Sequence, residues 1–379
     1  MLTRHRHARA RISAVAVGCV AVLVAACAPP PSLTPQQQVD QIVAFVEHVR
    51  GHQFVTKPAV AFLSTSAFQQ AILDEVASAQ PAVDQAEVAF KALGWLAPSG
   101  SLFHEYQVAF SGGVVGFYDP TTKVLDVRGT DITPYRREVM AHELTHALDD
   151  QLFGLNQDFH DGLLGERTFA SLIAIEGDAV RTQQAYETTL SPIEQAQDLA
   201  EQLSLGSDPA LLSVPLALLS FTEAPYLRGP VFAQQVAAAG GVPAGLDAMI
   251  QRLPATEEQA FDTTKYLANE PAVPVALPPA DGTVVQSGTW GQYLLSLVID
   301  NGLTLDKVDP ATIGWAGDGY VTWQAGSSDC LRLDTQMDTA AEAATVHHAL
   351  TTWAAGALAP AATTVTDIGP STVRLTSCD

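Results

Sequence analysis

His142-Glu143-Leu144-Thr145-His146 is the stretch of this chain best equipped to do chemistry. It lies within Arg136 to Leu155, a segment whose pattern predicts a helix. Residues four apart share a helix face, so His142 and His146 can hold one metal ion between them. Neutral imidazole suits Zn²⁺. Glu143, beside the pair, is placed to take a proton from a water that the metal acidifies. Five residues are thin support in a chain of 379, so the surrounding sequence has to supply a third ligand.

A third histidine six residues after His146, with a glycine between, would mark one zinc subclass; here those positions hold Leu152 and Asp149. The other common solution is a glutamate on a second helix. Glu166 to Tyr186 predicts one, with an apolar stripe of Phe169, Leu172, Ile173 and Val180 that Glu176 interrupts. A carboxylate on such a face is costly unless it is paired or bound to metal. His142, His146 and Glu176 as ligands leave a fourth position for water, as hydrolytic zinc sites require. A plain salt bridge within a helix pair is the competing account of Glu176.

The run Ala141 to Gln151 (AHELTHALDDQ), with Ile175-Glu176-Gly177-Asp178-Ala179 downstream, resembles bacterial exported gluzincin-type metallopeptidases. The resemblance extends to Gly116 to Pro120, Ala224 to Gly229, Thr256 to Gln259, Lys265-Tyr266 and the GWxGD-type element Gly314 to Tyr320, so it covers most of the chain. It implies a zincin-like (gluzincin) catalytic core, a Zn²⁺ cofactor and a peptide or protein substrate. Better-known gluzincins often place an aspartate four residues after the ligand glutamate to support a ligand histidine. Val180 stands there, so Asp149 or Asp150 is expected to take that role. The segments Val114 to Tyr118 and Lys123 to Val127 predict a hairpin just before the histidine helix. In zincins such a strand often lines the substrate cleft at a sheet edge. An oxyanion donor is also needed; the candidates are Tyr226, the preferred one, then Arg228, Tyr266 and His160.

The first residues carry Arg4, Arg6, Arg9 and Arg11, then an apolar run from Ile12 to Ala26. This pattern predicts a secretory signal over 1–26, too short for a confident membrane span. Val24-Ala25-Ala26-Cys27 reads as a lipobox, with Cys27 lipidated and 27–36 a proline-rich tether. The expected location is the cell membrane, on the extracytoplasmic side. Removing residues 1–26 takes away four arginines and no acid, leaving 15 basic and 41 acidic residues, a net charge of −26. That balance argues against nucleic acid and against electrostatic attachment to anionic lipid. Of the four cysteines, Cys19 leaves with the signal and Cys27 takes lipid. Cys330 and Cys378 remain, and an exported chain predicts a disulfide between them.

The fold expected is α+β and predominantly helical, with the zincin-like core over 37–270 and a C-terminal α/β subdomain over 271–379, joined through the proline-rich Pro271 to Pro279. Helices are predicted over Pro35 to Arg50, Thr65 to Leu93 with a break at Pro81, Ser191 to Leu219, Val231 to Ala239, Gln292 to Asn301 and Thr339 to Ala357. Phe221 to Gly229 reads as a helix break. Strands are predicted at Ala59 to Leu63, Tyr320 to Gln324, Asp329 to Leu333 and Thr364 to Thr376. Trp315 and Tyr320 are expected in the core, His347 and His348 at the surface, and Glu257-Glu258 on a solvated face.

Three functions compete. The leading one is a lipid-anchored zinc peptidase. The second is a catalytically inactive zinc-binding surface lipoprotein with a binding or envelope-structural role, against which the intact Glu143 speaks. The third is a solute-binding lipoprotein whose histidine pattern is accidental. The anchor itself is testable. A diacylglyceryl group brings two acyl chains, enough for stable membrane attachment where one is marginal. The full-length chain should fractionate with membranes and Cys27→Ser should not; wild-type protein in the soluble fraction with an unmodified N-terminus contradicts the lipoprotein assignment.

Overall fold

The computed structural model describes residues 33–155, 162–207 and 209–379. Cys27 and the signal, like His160, lie outside the described residues. The architecture is mixed α+β, mostly helical, with two sheets. In chain order the elements begin α1 (Pro35–Arg50), β1 (Ala59–Leu63), α2 (Thr65–Ser78), α3 (Gln80–Ala92), α4 (Leu102–Gly113), β2 (Gly116–Asp119) and β3 (Val124–Arg128). The helical layer follows: α5 (Pro134–Phe153), α6 (Glu166–Glu187), α7 (Pro192–Leu205), α8 (Leu216–Gly240), α9 (Ala244–Gln251), α10 (Glu257–Phe261) and α11 (Thr263–Ala268). The chain ends with β4 (Thr283–Gly288), α12 (Gln292–Ile299), β5 (Trp315–Ala325), β6 (Ser328–Met337), α13 (Ala340–Ala354), β7 (Thr364–Gly369) and β8 (Thr372–Cys378).

The smaller sheet has the order β1-β3-β2, with β1 parallel and β2 antiparallel to β3. Its edge strand β2 forms, with β3, the hairpin that precedes the histidine helix α5. The larger sheet is antiparallel in the order β4-β5-β6-β8-β7. A single apolar cluster runs from Val83 on α3 to Leu375 on β8, so helices from the first half of the chain share a core with this sheet. Cys330 and Cys378 face each other across β6 and β8, Cα atoms 4.1 Å apart, and form a disulfide.

Several local features follow from residue chemistry. Thr34, Ser191 and Thr339 cap α1, α7 and α13 with reciprocal capping boxes. The expected helix over Thr65 to Leu93 breaks at Ala79, not at Pro81. The proline sits in the first turn of α3, where its missing N–H costs nothing. The expected break at Phe221 to Gly229 does not occur. Residues 216–240 form one helix with Pro225 and Pro230 inside it, while the interruption falls earlier, between Leu205 and Leu216. Packing against α6 overrides the proline penalty. The two backbones touch: a Cβ placed on Gly177 would lie 2.3 Å from the Gly229 carbonyl oxygen, and one on Gly229 2.6 Å from that of Ile173. Thr364 to Thr376 is a hairpin, β7 and β8, and not one strand.

Glu257 and Glu258 are also corrected. Neither is on a solvated face; both are buried. Glu257 accepts the Tyr293 and Leu294 backbone N–H groups at the N-terminus of α12, and Glu258 pairs with Lys265 at 2.7 Å. The orphan donors of a helix start attract a carboxylate even in the interior. Trp315 and Tyr320 are in the core, as expected. Asp318, from the same element, accepts from Trp290 N, Gly291 N and Trp315 Nε1 at 2.7–2.9 Å, which fixes the turn into α12. His347 bonds Asp367 across to β7 at 2.6 Å.

Arg50, the last residue of α1, is fully buried. Its guanidinium meets Asp149 of α5 at 2.7 Å, Asp178 of α6 at 2.8 Å and Asp247 of α9 at 3.4 Å. One cation serves three acids, and burial together with repulsion from Asp178 pushes Asp149 above its ordinary value. Removing the cation strands buried carboxylates. Arg50→Met should therefore lower unfolding free energy by about 3–5 kcal/mol, read from denaturant midpoints. A change under about 1 kcal/mol, the range of exposed pairs, contradicts this.

Candidate metal centre

α5 and α6 lie side by side and present three ligand-type side chains to one point. His142 Nε2 is 3.1 Å from Glu176 Oε2 and 3.1 Å from His146 Nε2; His146 Nε2 is 3.4 Å from the same carboxylate oxygen. Among the described residues these three form a group whose ligand atoms all lie within 4.8 Å of one another. A tetrahedral ion with bonds of about 2.0–2.1 Å separates its ligand atoms by roughly 3.3 Å, and the observed separations bracket that value. Two imidazole nitrogens facing each other at 3.1 Å have either an N–H hydrogen or a metal ion between them. The donor set therefore fits a zinc ion.

The electrostatics point the same way. Burial alone would lower the His146 pKa, but attraction to Glu176 overrides it and raises the group to about 9. Burial would raise Glu176, yet the two histidines hold it far below the usual carboxylate range. The cluster draws positive charge to itself. A divalent ion satisfies that demand without protonating the ligands.

Glu143 is not part of that three-residue group. Its Oε2 accepts the Tyr118 backbone N–H at 2.9 Å, which ties it to the edge strand β2. Burial raises its pKa, against the pull of His142 and His146. The Tyr118 hydroxyl in turn donates to Asp150 at 2.6 Å, and Lys123 donates to the same carboxylate oxygen. The strand that anchors Glu143 is thus latched at a second point to the helix that carries it. Tyr226, on α8, lies over the His142 ring with centroids 6.0 Å apart and is 43% exposed. The Glu176 charge, burial and the Glu143 charge raise its pKa well above the ordinary tyrosine value, so it keeps its proton. His142, Glu143, His146, Glu176 and Tyr226 line one cavity of about 350 Å³.

Of the expected supports, Asp149 acts on His146 through its charge, and the hydrogen bond to a candidate ligand ring comes from another residue. Gln183 Oε1 sits 3.1 Å from His142 Nδ1 and holds that ring. Asp149 is engaged by Arg50 and Asp150 by Tyr118 and Lys123. Gln183 is seven residues after Glu176, hence on the same helix face; that spacing was the available signal. Arg228 and Tyr266 are not at the site. Arg228 donates to the Ala260 and Phe261 carbonyls, and the Tyr266 hydroxyl to the Arg252 carbonyl.

A family model described as "Domain of unknown function (DUF8575)" matches residues 279–376. It covers the larger sheet with α12 and α13 and none of the residues at the metal centre. No curated protein and no solved structure matches the chain.

Proposed function

We propose that this protein is a zinc metallopeptidase of gluzincin type with a zincin-like core, anchored through lipidated Cys27 on the extracytoplasmic face of a membrane. The observation that carries this reading is the convergence of His142, His146 and Glu176 in one cavity with Glu143 and Tyr226. The likeness of the HELTHAL and EGDA segments to gluzincins adds to it.

In this account His142, His146 and Glu176 would hold Zn²⁺, which when bound would supply Lewis acidity toward a scissile carbonyl and lower the pKa of a water. Glu143 accepts the proton of the attacking water as its oxygen bonds the carbonyl carbon. The same carboxyl then gives that proton to the amide nitrogen as the C–N bond breaks. Its bond to Tyr118 N fixes one carboxylate oxygen and so orients the group. Tyr226 remains protonated across the neutral range and donates to the carbonyl oxygen as negative charge develops there. Gln183 keeps the His142 ring in one orientation. An inactive binding lipoprotein would make no demand on Glu143 or Tyr226.

The test is hydrolysis of a pool of internally quenched peptides by zinc-loaded protein. Glu143→Gln should keep zinc and fold but lose turnover by about 10²–10⁴-fold, the usual contribution of a general base. Tyr226→Phe should cut kcat by about 10²–10³-fold, as for loss of one oxyanion donor. Wild-type turnover in a zinc-replete Glu143→Gln protein contradicts the assignment.

A further inference from the structure

The cavity at the metal centre has two unlike halves. One is the polar wall of His142, Glu143, His146, Glu176 and Tyr226 already described. The apolar part of the lining is made by Ile72 and Val76 of α2, Tyr106 and Phe110 of α4, and Val114 and Phe117 leading into and along β2. These six belong to a small apolar cluster built on Phe68, Ile72 and Val76, which meets the main core through Tyr106. Tyr106, Phe110, Val114 and Phe117 are only partly buried in it. Their uncovered faces are therefore available to a ligand side chain.

The charges in the cavity are equally one-sided. Glu75 and Asp119 line it beside Glu143 and Glu176, and among the described residues no lysine or arginine does. Asp119 is held as the anion, because Thr121 N and the Thr122 hydroxyl donate to its two oxygens, each at 2.7 Å. Burial and the Glu75 charge raise the Tyr106 phenol to about 12, so it presents a neutral ring. A bound zinc ion offsets the inner carboxylates, while Glu75 and Asp119 keep their field.

We infer that the cleft selects peptides by one large apolar side chain, aromatic or Leu-like, seated against Val76, Phe110, Val114 and Phe117, and that it rejects acidic side chains there. The inference rests on the peptide-hydrolase reading for the nature of the ligand. Burying an aromatic against these side chains gains apolar area. Placing a carboxylate among Glu75, Asp119 and an apolar wall costs both desolvation and repulsion.

The experiment measures binding, so that it does not depend on turnover. Zinc-loaded Glu143→Gln protein is titrated into fluorescein-labelled hexapeptides that differ only at one central residue, Phe, Leu, Ala or Asp, with anisotropy as readout. The Phe and Leu peptides should bind at least about 10-fold tighter than Ala, since each methylene in an apolar pocket is worth about 10–200-fold; Asp should bind weakest. In the same background Val114→Trp, which fills the pocket, should abolish the preference for Phe. Phe110→Ala, which opens it, should weaken the Phe peptide while leaving the Ala peptide within about twofold. Equal affinities for the four peptides, no binding of any, or a preference for Phe untouched by both substitutions would overturn the inference. Wild-type protein that binds the Phe peptide but cleaves nothing would overturn the hydrolase reading alone and leave the pocket standing.

Discussion

One buried guanidinium lies at the junction of the two helices that carry the candidate metal ligands. Arg50 stands between Asp149 and Asp178, which follow the candidate ligands His146 and Glu176 by three and two positions on two different helices. Without a cation there, α5 and α6 would bring two buried carboxylates face to face. With it, the same acids become the fastening that holds the helices in the register where Glu176 meets both histidines. Because Arg50 ends α1, and Asp247 adds α9 to the junction, one side chain makes ion pairs that join four helices.

The other side of α6 imposes a second constraint. Gly177 follows the ligand Glu176, and Gly229 lies less than a turn beyond Tyr226; the two glycines meet backbone to backbone. A side chain at either would push α8 outward and carry the Tyr226 ring away from His142. Close approach of α8 thus does for Tyr226 what Arg50 does for the ligands. The edge strand completes the frame, since Tyr118 binds α5 through its backbone at Glu143 and through its hydroxyl at Asp150.

What could be read from the sequence was what depends on local periodicity. The histidine pair, the lone acid on the apolar face of α6, the hairpin before α5 and the bounds of α1 and β1 follow from spacings of two, three and four residues. The disulfide followed from the expected compartment and the small number of remaining cysteines. What could not be read depends on contacts distant in sequence. Nothing near Arg50 announces that its partners are 99 and 197 residues away. Pro225 and Pro230 suggest a break because their effect on an isolated helix is unfavourable, yet packing on α6 keeps α8 intact. Glu257 and Glu258 read as a solvated pair because the helix start and the lysine that bury them lie elsewhere. The support of His142 by Gln183 was within reach, seven residues after Glu176, but the two aspartates after His146 drew the assignment.

The central claim is that α5 and α6 build a three-ligand zinc site in which Glu176 is the third ligand. The most direct measurement is zinc content by plasma mass spectrometry, with the zinc dissociation constant from chelator competition, for wild type and Glu176→Gln. The account predicts one tightly held zinc per wild-type chain. It also predicts an affinity loss in the variant larger than the roughly 10–100-fold that follows loss of an outer partner of a ligand, with the fold retained. A wild-type protein that holds no zinc, or a Glu176→Gln variant that holds it as tightly as wild type, would contradict it.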